Sequence, residues 1–267
     1  MSQILSLAAG TLPEFLPDQV AIAAGQAGFS HLGFTIEPEH WNAAQARATM
    51  AALRQYQLQV LDVEVIWIPE GGKLTDDHRL IIDAGAQLGA SNVLVVSAEP
   101  DPKRTAAAMH QLCQWAAPAG IRVALEFLMI TAVQSLDTAL DIIAHCDHDS
   151  AAVLIDTLHF QRAGHAPADL KAVDRSLLTY SQICDGNLHC ADNFDSYMED
   201  AVDLRSVPGE GELPLPDMLA ALPADIPLSL EVRSKACRDN YPDPVERAKA
   251  VRQKTLTNLD AMGVAIR

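Results

Sequence analysis

Short runs of aliphatic and β-branched residues recur along the chain at nearly even intervals: Ile4–Ala8, His31–Ile36, Val60–Trp67, Asn92–Ser97, Arg122–Phe127, Ala152–Asp156, Leu178–Cys184 and Pro227–Val232. Their length and composition mark them as strands. Between them run stretches rich in Ala, Leu and Gln whose apolar residues return at helical spacing: Pro17–Ala27, Trp41–Tyr56, Asp76–Leu88, Arg104–Ala117 and Leu136–His145. Ser135 heads the last of these, and Gly28 and Gly120 stand where helices should stop. Strands alternating with helices are parallel βαβ units, because a parallel pair can be joined only by a long crossover.

Eight such units in 267 residues is about 33 residues per unit, which matches a single (β/α)8 TIM barrel in the α/β class. The rival is a doubly wound open sheet. The first strand-to-helix turn, Ala8–Pro13, carries neither GxGxxG nor a P-loop, so the barrel is the better reading. No Gly-, Ser- or Pro-rich linker divides the chain, and one domain over residues 1–267 is expected. The connection from Asp185 to about Pro223 is unusually long and contains Arg205-Ser-Val-Pro-Gly-Glu-Gly-Glu-Leu213. Long connections inside a compact domain are more often functional than idle.

Composition narrows the function. With 49% hydrophobic and 20% charged residues, the chain can fill a large core. Its 35 acids against 19 Lys and Arg give a formal charge of −16, a surface that repels phosphate backbones and anionic lipid. Neither nucleic acid nor a membrane is expected as a partner; a small molecule is. The five cysteines (113, 146, 184, 190, 237) form no CxxC pair and are odd in number, which suits reduced thiols in a cytoplasmic protein. The N-terminal MSQILSLAAGTLPEF lacks a basic n-region, so no signal peptide is expected. The helical tail from Pro242 to Met262 suits either a cap on the barrel or contact with a second copy in a homo-oligomer.

In a barrel the reactive face lies at the C-terminal ends of the strands, and the last four candidate strands all end in polar groups: Glu126, Asp156, Gln182 and Glu231. Period-two alternation puts Ala124 with Glu126, Leu154 with Asp156, Tyr180 with Gln182, and Ser229 with Glu231 on shared faces. If those faces point inward, the four groups converge. Three carboxylates and an amide in a low-dielectric mouth repel one another unless a cation intervenes. One divalent metal ion is therefore expected, and an all-oxygen donor set favours Mn, Mg or Co over Zn. Taken singly, each acid could as well be a solvated strand end or a helix cap. Glu64 could be structural or touch substrate, and Arg205 and Arg233 taken alone read as surface charges.

The succession ALEF, IDTLH, QICD, R-x-x-PGEG and SLEV resembles the xylose isomerase-like TIM barrels, the sugar phosphate isomerase and epimerase group, over essentially the whole chain. The resemblance implies that Glu126, Asp156, Gln182 and Glu231 bind one divalent metal, that His159 of the D-x-x-H pair touches substrate, and that Arg205 is the family's loop arginine. It implies an isomerase or epimerase that abstracts a proton beside a carbonyl, with Glu126 and Glu231 on opposite sides of the substrate. His159, Arg205, Glu64 and Arg233 are the expected substrate contacts. Two departures bear on the reaction. Gln182 replaces the histidine of many members, as in the hydroxypyruvate isomerase-like and 3-dehydroshikimate dehydratase-like branches, and the Asp-Thr-Leu-His form leans toward the dehydratases. A metal-dependent dehydratase (lyase) is therefore the first alternative, and a non-catalytic sugar-binding barrel the second. The extra histidines of the endonuclease branch are absent.

Overall fold

The structure, a computed structural model, describes residues 3–266. Eight parallel strands close a barrel in chain order: β1 (Leu5–Leu7), β2 (His31–Thr35), β3 (Gln59–Ile68), β4 (Asn92–Ser97), β5 (Arg122–Glu126), β6 (Ala151–Asp156), β7 (Leu178–Ile183) and β8 (Leu228–Leu230). Outside it run α1 (Pro17–Ala27), α2 (Ala43–Tyr56), α3 (Asp76–Leu88), α4 (Pro102–Ala116), α5 (Leu136–Cys146), α6 (Thr157–Arg162), α7 (Phe194–Val202), α8 (Leu215–Ala221), α9 (Lys235–Asn240) and α10 (Pro244–Ala261). The expected (β/α)8 barrel is the fold.

The helices begin where a side chain can satisfy the first free backbone N–H groups. Asn42 Oδ1 accepts from Ala44 and Gln45, so α2 starts two residues after Trp41. Asp101 Oδ1 accepts from Lys103, and Pro102 occupies the first turn of α4, where its missing N–H costs nothing. Ser135 caps α5 through Thr138.

Two apolar layers result. Strand residues such as Leu32, Val63, Ile66, Val95, Val123 and Val153 face the helices in one continuous core, while Leu61, Leu94, Val96, Ala124, Ala152, Leu154 and Tyr180 fill the barrel. Ala124, Leu154 and Tyr180 thus point inward, as the alternation required, and they carry Glu126, Asp156 and Gln182 to the inner face two residues on. The register sets Asp156 beside Gln182, and Gln182 beside Ser229 of β8.

The long connection after β7 is not a loop throughout: it holds α7 and α8. Its Pro-Gly-Glu-Gly segment folds back onto Asp185, whose Oδ1 accepts from the N–H of Gly186 (2.9 Å) and Leu213 (3.0 Å) and whose Oδ2 accepts from Gly209 (2.9 Å). Gly209 has φ +85°, in the left-handed region glycine tolerates. A Cβ on Gly211 would lie 2.5 Å from the Gly186 nitrogen, so the motif's second glycine is needed for close approach. This anchor places Arg205 at the mouth. α7 is held by the buried Arg162–Asp200 pair (2.6 Å).

Candidate active site

A cavity of about 340 Å³ opens at the C-terminal ends of the strands, and Glu64, Glu126, His159, Arg205, Glu231 and Arg233 line it. Asp156, bonded to the lining residue Arg205, and Gln182, its neighbour in register, are buried, each 1% exposed. The structure therefore gathers all eight sequence-derived candidates into one region of the barrel.

Asp156 ends β6 and caps α6, its Oδ1 accepting from the N–H of Leu158 (2.8 Å) and His159 (3.0 Å). The cap uses Oδ1 alone, and Oδ2 accepts from Arg205 Nη1 at 2.7 Å. Burial pushes the Asp156 carboxyl up, but the charges of Arg205 and His159 and these hydrogen bonds outweigh it and hold the group below its usual range.

Arg205 is 3% exposed and satisfied on every side. Its Nε donates to Ala201 O (2.8 Å), its Nη1 lies 2.8 Å from Glu231 Oε2 as well as against Asp156, and its Nη2 donates to His159 Nε2 (3.1 Å). Arginine has no acceptor, so His159 must receive that bond on a bare Nε2 and carry its proton on Nδ1. Burial lowers the imidazole to about 4, against the opposing pull of Asp156, so it is neutral near pH 7.

The remaining acids are driven the other way. Glu126 sits well above its ordinary value because of burial and then the charges of Asp156 and Glu231. Glu64 is raised by burial and by Glu231 and Asp62, and Glu231 by burial despite the opposing charge of Arg205. Gly10 makes room for Glu231: a Cβ there would fall 2.3 Å from Oε1.

Two residues outside the sequence-derived set belong here. Asp62 is fully buried, among the described residues neither of its oxygens has a hydrogen-bond partner, and burial with the charge of Glu231 raises it to about 7. Gly33 faces it, with a built Cβ only 2.7 Å from Oδ1. Tyr180 is likewise buried with its hydroxyl unpartnered. The alternation of Leu-Asp-Val-Glu-Val already places Asp62 and Glu64 on one face, the signal that could have found the former.

The donor chemistry suits a hard divalent cation. Among the described residues both amide atoms of Gln182 and Oε2 of Glu64 are buried without hydrogen-bond partners, beside carboxylates that burial makes costly to ionise. Glu126, Asp156 and Glu231 do not form a trio whose oxygens all lie within 4.8 Å of one another, and Arg205 Nη1 contacts both of the last two. Among the described residues the trio that does meet so closely is Glu37, Glu39 and His40, all exposed.

A closed parallel barrel with buried acids and an arginine at its C-terminal mouth is the layout of a TIM-barrel enzyme site. The chain belongs to the xylose isomerase-like TIM barrels, whose family model matches residues 21–255. No curated protein matches it by sequence. Solved structures do match in fold. The IOLI protein with a bound zinc atom has a TM-score of 0.79 at 17% identity, over 97% of this chain and 99% of that one. D-allulose 3-epimerase from Methylomonas sp., in complex with D-allulose, gives 0.71 at 15% identity, over 96% and 97%. The probable 3-DHS dehydratase AsbF from Bacillus anthracis gives 0.71 at 13%, over 94% and 99%. The chain also spans 45% of the length of a xylose isomerase-like TIM barrel/4-hydroxyphenylpyruvate dioxygenase fusion protein, at TM-score 0.80 and 19% identity.

Proposed function

We propose that the protein is a divalent-metal-dependent isomerase or epimerase of a sugar or a related hydroxy-carbonyl compound, acting by proton abstraction next to the carbonyl. The observation that carries this reading is the pair Glu126 and Glu231. Both line the cavity, they stand at the ends of β5 and β8, and burial raises both above the ordinary carboxylate range. A carboxylate so placed has the proton affinity a base needs near neutral pH, and its protonated twin can return a proton to the opposite face of the substrate. A divalent ion held by Glu126, Asp156, Gln182 and Glu231 would supply Lewis-acid stabilisation of the charge that develops on the substrate.

His159 Nε2 is engaged by Arg205, so Nδ1–H is the group it can offer, and a neutral imidazole donating from Nδ1 orients a substrate oxygen. This favours isomerisation over a dehydratase that uses His159 as its base. The dehydratase remains the second reading on the pairing of Gln182 with Asp-Thr-Leu-His.

Elemental analysis of the purified protein should find a stoichiometric divalent ion in wild type and its loss in Asp156→Asn and Glu231→Gln. The metal-loaded wild type should exchange a carbon-bound hydrogen of one member of a ketose panel for solvent deuterium by NMR, at a rate cut about 10²–10⁴-fold by Glu231→Gln. Wild type that binds no divalent ion would overturn the reading. Conversion of 3-dehydroshikimate to an aromatic absorber, without any ketose exchange, would replace it with the dehydratase.

A further inference from the structure

The cavity has two walls of unlike chemistry. Glu64, Glu126, His159, Arg205, Glu231 and Arg233 form one. The other, built from the end of β3, the connection after β5 and α7, presents Val65, Trp67, Leu128, Ile130, Met198 and Val202. Trp67 is 44% exposed at the end of a strand whose neighbouring Ile66 and Ile68 are fully buried. Its carbonyl is tied to His78 Nε2 at 3.0 Å, which fixes the strand end that carries it. α7, which supplies Met198 and Val202 to the same wall, is locked by the buried Arg162–Asp200 pair.

We infer that the substrate is two-faced, with a hydroxy-carbonyl end for the charged wall and an apolar ring or chain for the wall of Trp67, Leu128, Ile130 and Met198. This rests on the reaction proposed above and narrows its substrate class. A fully hydroxylated sugar chain would press hydroxyls against aliphatic side chains that offer neither donor nor acceptor, and each would lose its water without replacement. An aryl or alicyclic group instead buries its own surface against an indole face and four or five aliphatic side chains. Trp67 is the central element of that wall, being the one Trp, Tyr or Phe among the described residues that line the cavity.

Two small acids isolate the apolar wall. Glycerate and 3-phenyllactate share a carboxylate and an adjacent hydroxyl and differ in a hydroxymethyl against a benzyl group. Arg233 offers the same counter-charge to both: it lines the cavity, its buried Nε has no hydrogen-bond partner, and it makes no ion pair among the described residues. Calorimetric titration of the metal-loaded full-length protein should find 3-phenyllactate bound at least about tenfold more tightly than glycerate. Trp67→Ala should remove most of that ratio by weakening 3-phenyllactate far more than glycerate, and Met198→Gln should reduce it through the part of the same wall that α7 supplies. Equal binding of the two acids by wild type, or a ratio that neither substitution moves, overturns the inference and leaves the proposed reaction standing. Failure of wild type to bind either acid also overturns the inference, while the proposed reaction stands or falls separately on divalent-ion binding and ketose exchange.

Discussion

The two ends of the barrel treat similar side chains in opposite ways. At the N-terminal end, Arg122 opens β5 and donates to the carbonyls of Ser150 (3.3 Å), Ala151 (2.8 Å) and Ser176 (2.8 Å), and Gln3 donates to Ile226 O (3.3 Å). These polar groups end on backbone and tie strand starts together. In the barrel's interior and at its C-terminal mouth Arg205 pairs with carboxylates that other buried acids crowd, while Gln182, Asp62 and Tyr180 have no partner among the described residues. Buried polar groups are normally satisfied, so unsatisfied ones gathered with raised carboxyls beneath a cavity mark where a ligand belongs.

The sharpest way to break this contrast is to remove one arginine from each end. Arg205→Met strands Asp156 and Glu231 as unpaired buried charges and should cost about 3–5 kcal/mol at neutral pH in the presence of a chelator. Arg122→Met loses only hydrogen bonds to carbonyls at the rim and should cost about 1–2 kcal/mol with no change in metal or ligand binding. Urea denaturation of both variants orders the two costs; a larger loss for Arg122→Met would collapse the distinction.

Asp62 sharpens the contrast through pH. Its folded-state value, about 7, lies above the ordinary 3.8, so the folded protein holds a proton that the unfolded chain releases. Stability from this group is full below the ordinary carboxylate range and is lost as pH rises through about 7. Metal-free wild type should accordingly melt at lower temperature at pH 8 than at pH 5.5. Asp62→Asn should flatten that slope and gain about 2–4 kcal/mol at pH 8. An unchanged slope would show that Asp62 ionises as freely as a surface acid.

The smallest expected change in stability comes from Gly10→Ala. The new Cβ meets the Glu231 carboxylate, the far end of a flexible side chain, so the fold should lose about 1 kcal/mol while ion binding and proton exchange fall with the displaced carboxylate. Gly211→Ala provides the control, because its Cβ would meet the Gly186 backbone, which cannot swing, and should destabilise more. Equal ion binding in wild type and Gly10→Ala would detach Glu231 from the site.

Much of this site was legible in the chain because a strand has a fixed period. Once Ala124, Leu154 and Tyr180 are inward, Glu126, Asp156 and Gln182 must be inward too, and the barrel's closure brings their ends to one mouth. Glu231 lies one residue beyond the end of β8, where the same alternation still holds. The helices inside the long connection were less legible, since α8 is short and the prolines around it read as loop. Asp62 shared a face with Glu64, but nothing in a linear pattern says which inward acid will lie opposite a glycine and lack a partner.

The alternation of strand and helix and the polar strand ends were determined by the sequence itself, because both follow from local periodicity and the hydrophobic effect. Which charges meet was decided only in three dimensions. Arg205 lies 49 residues from Asp156 and is carried to it by a loop whose glycines fold onto Asp185; the neutral His159, the raised glutamates and the apolar wall beneath α7 likewise depend on burial among residues distant in the chain. Burial and Coulomb interactions depend on distance in space, and the order of residues along the chain does not specify that distance.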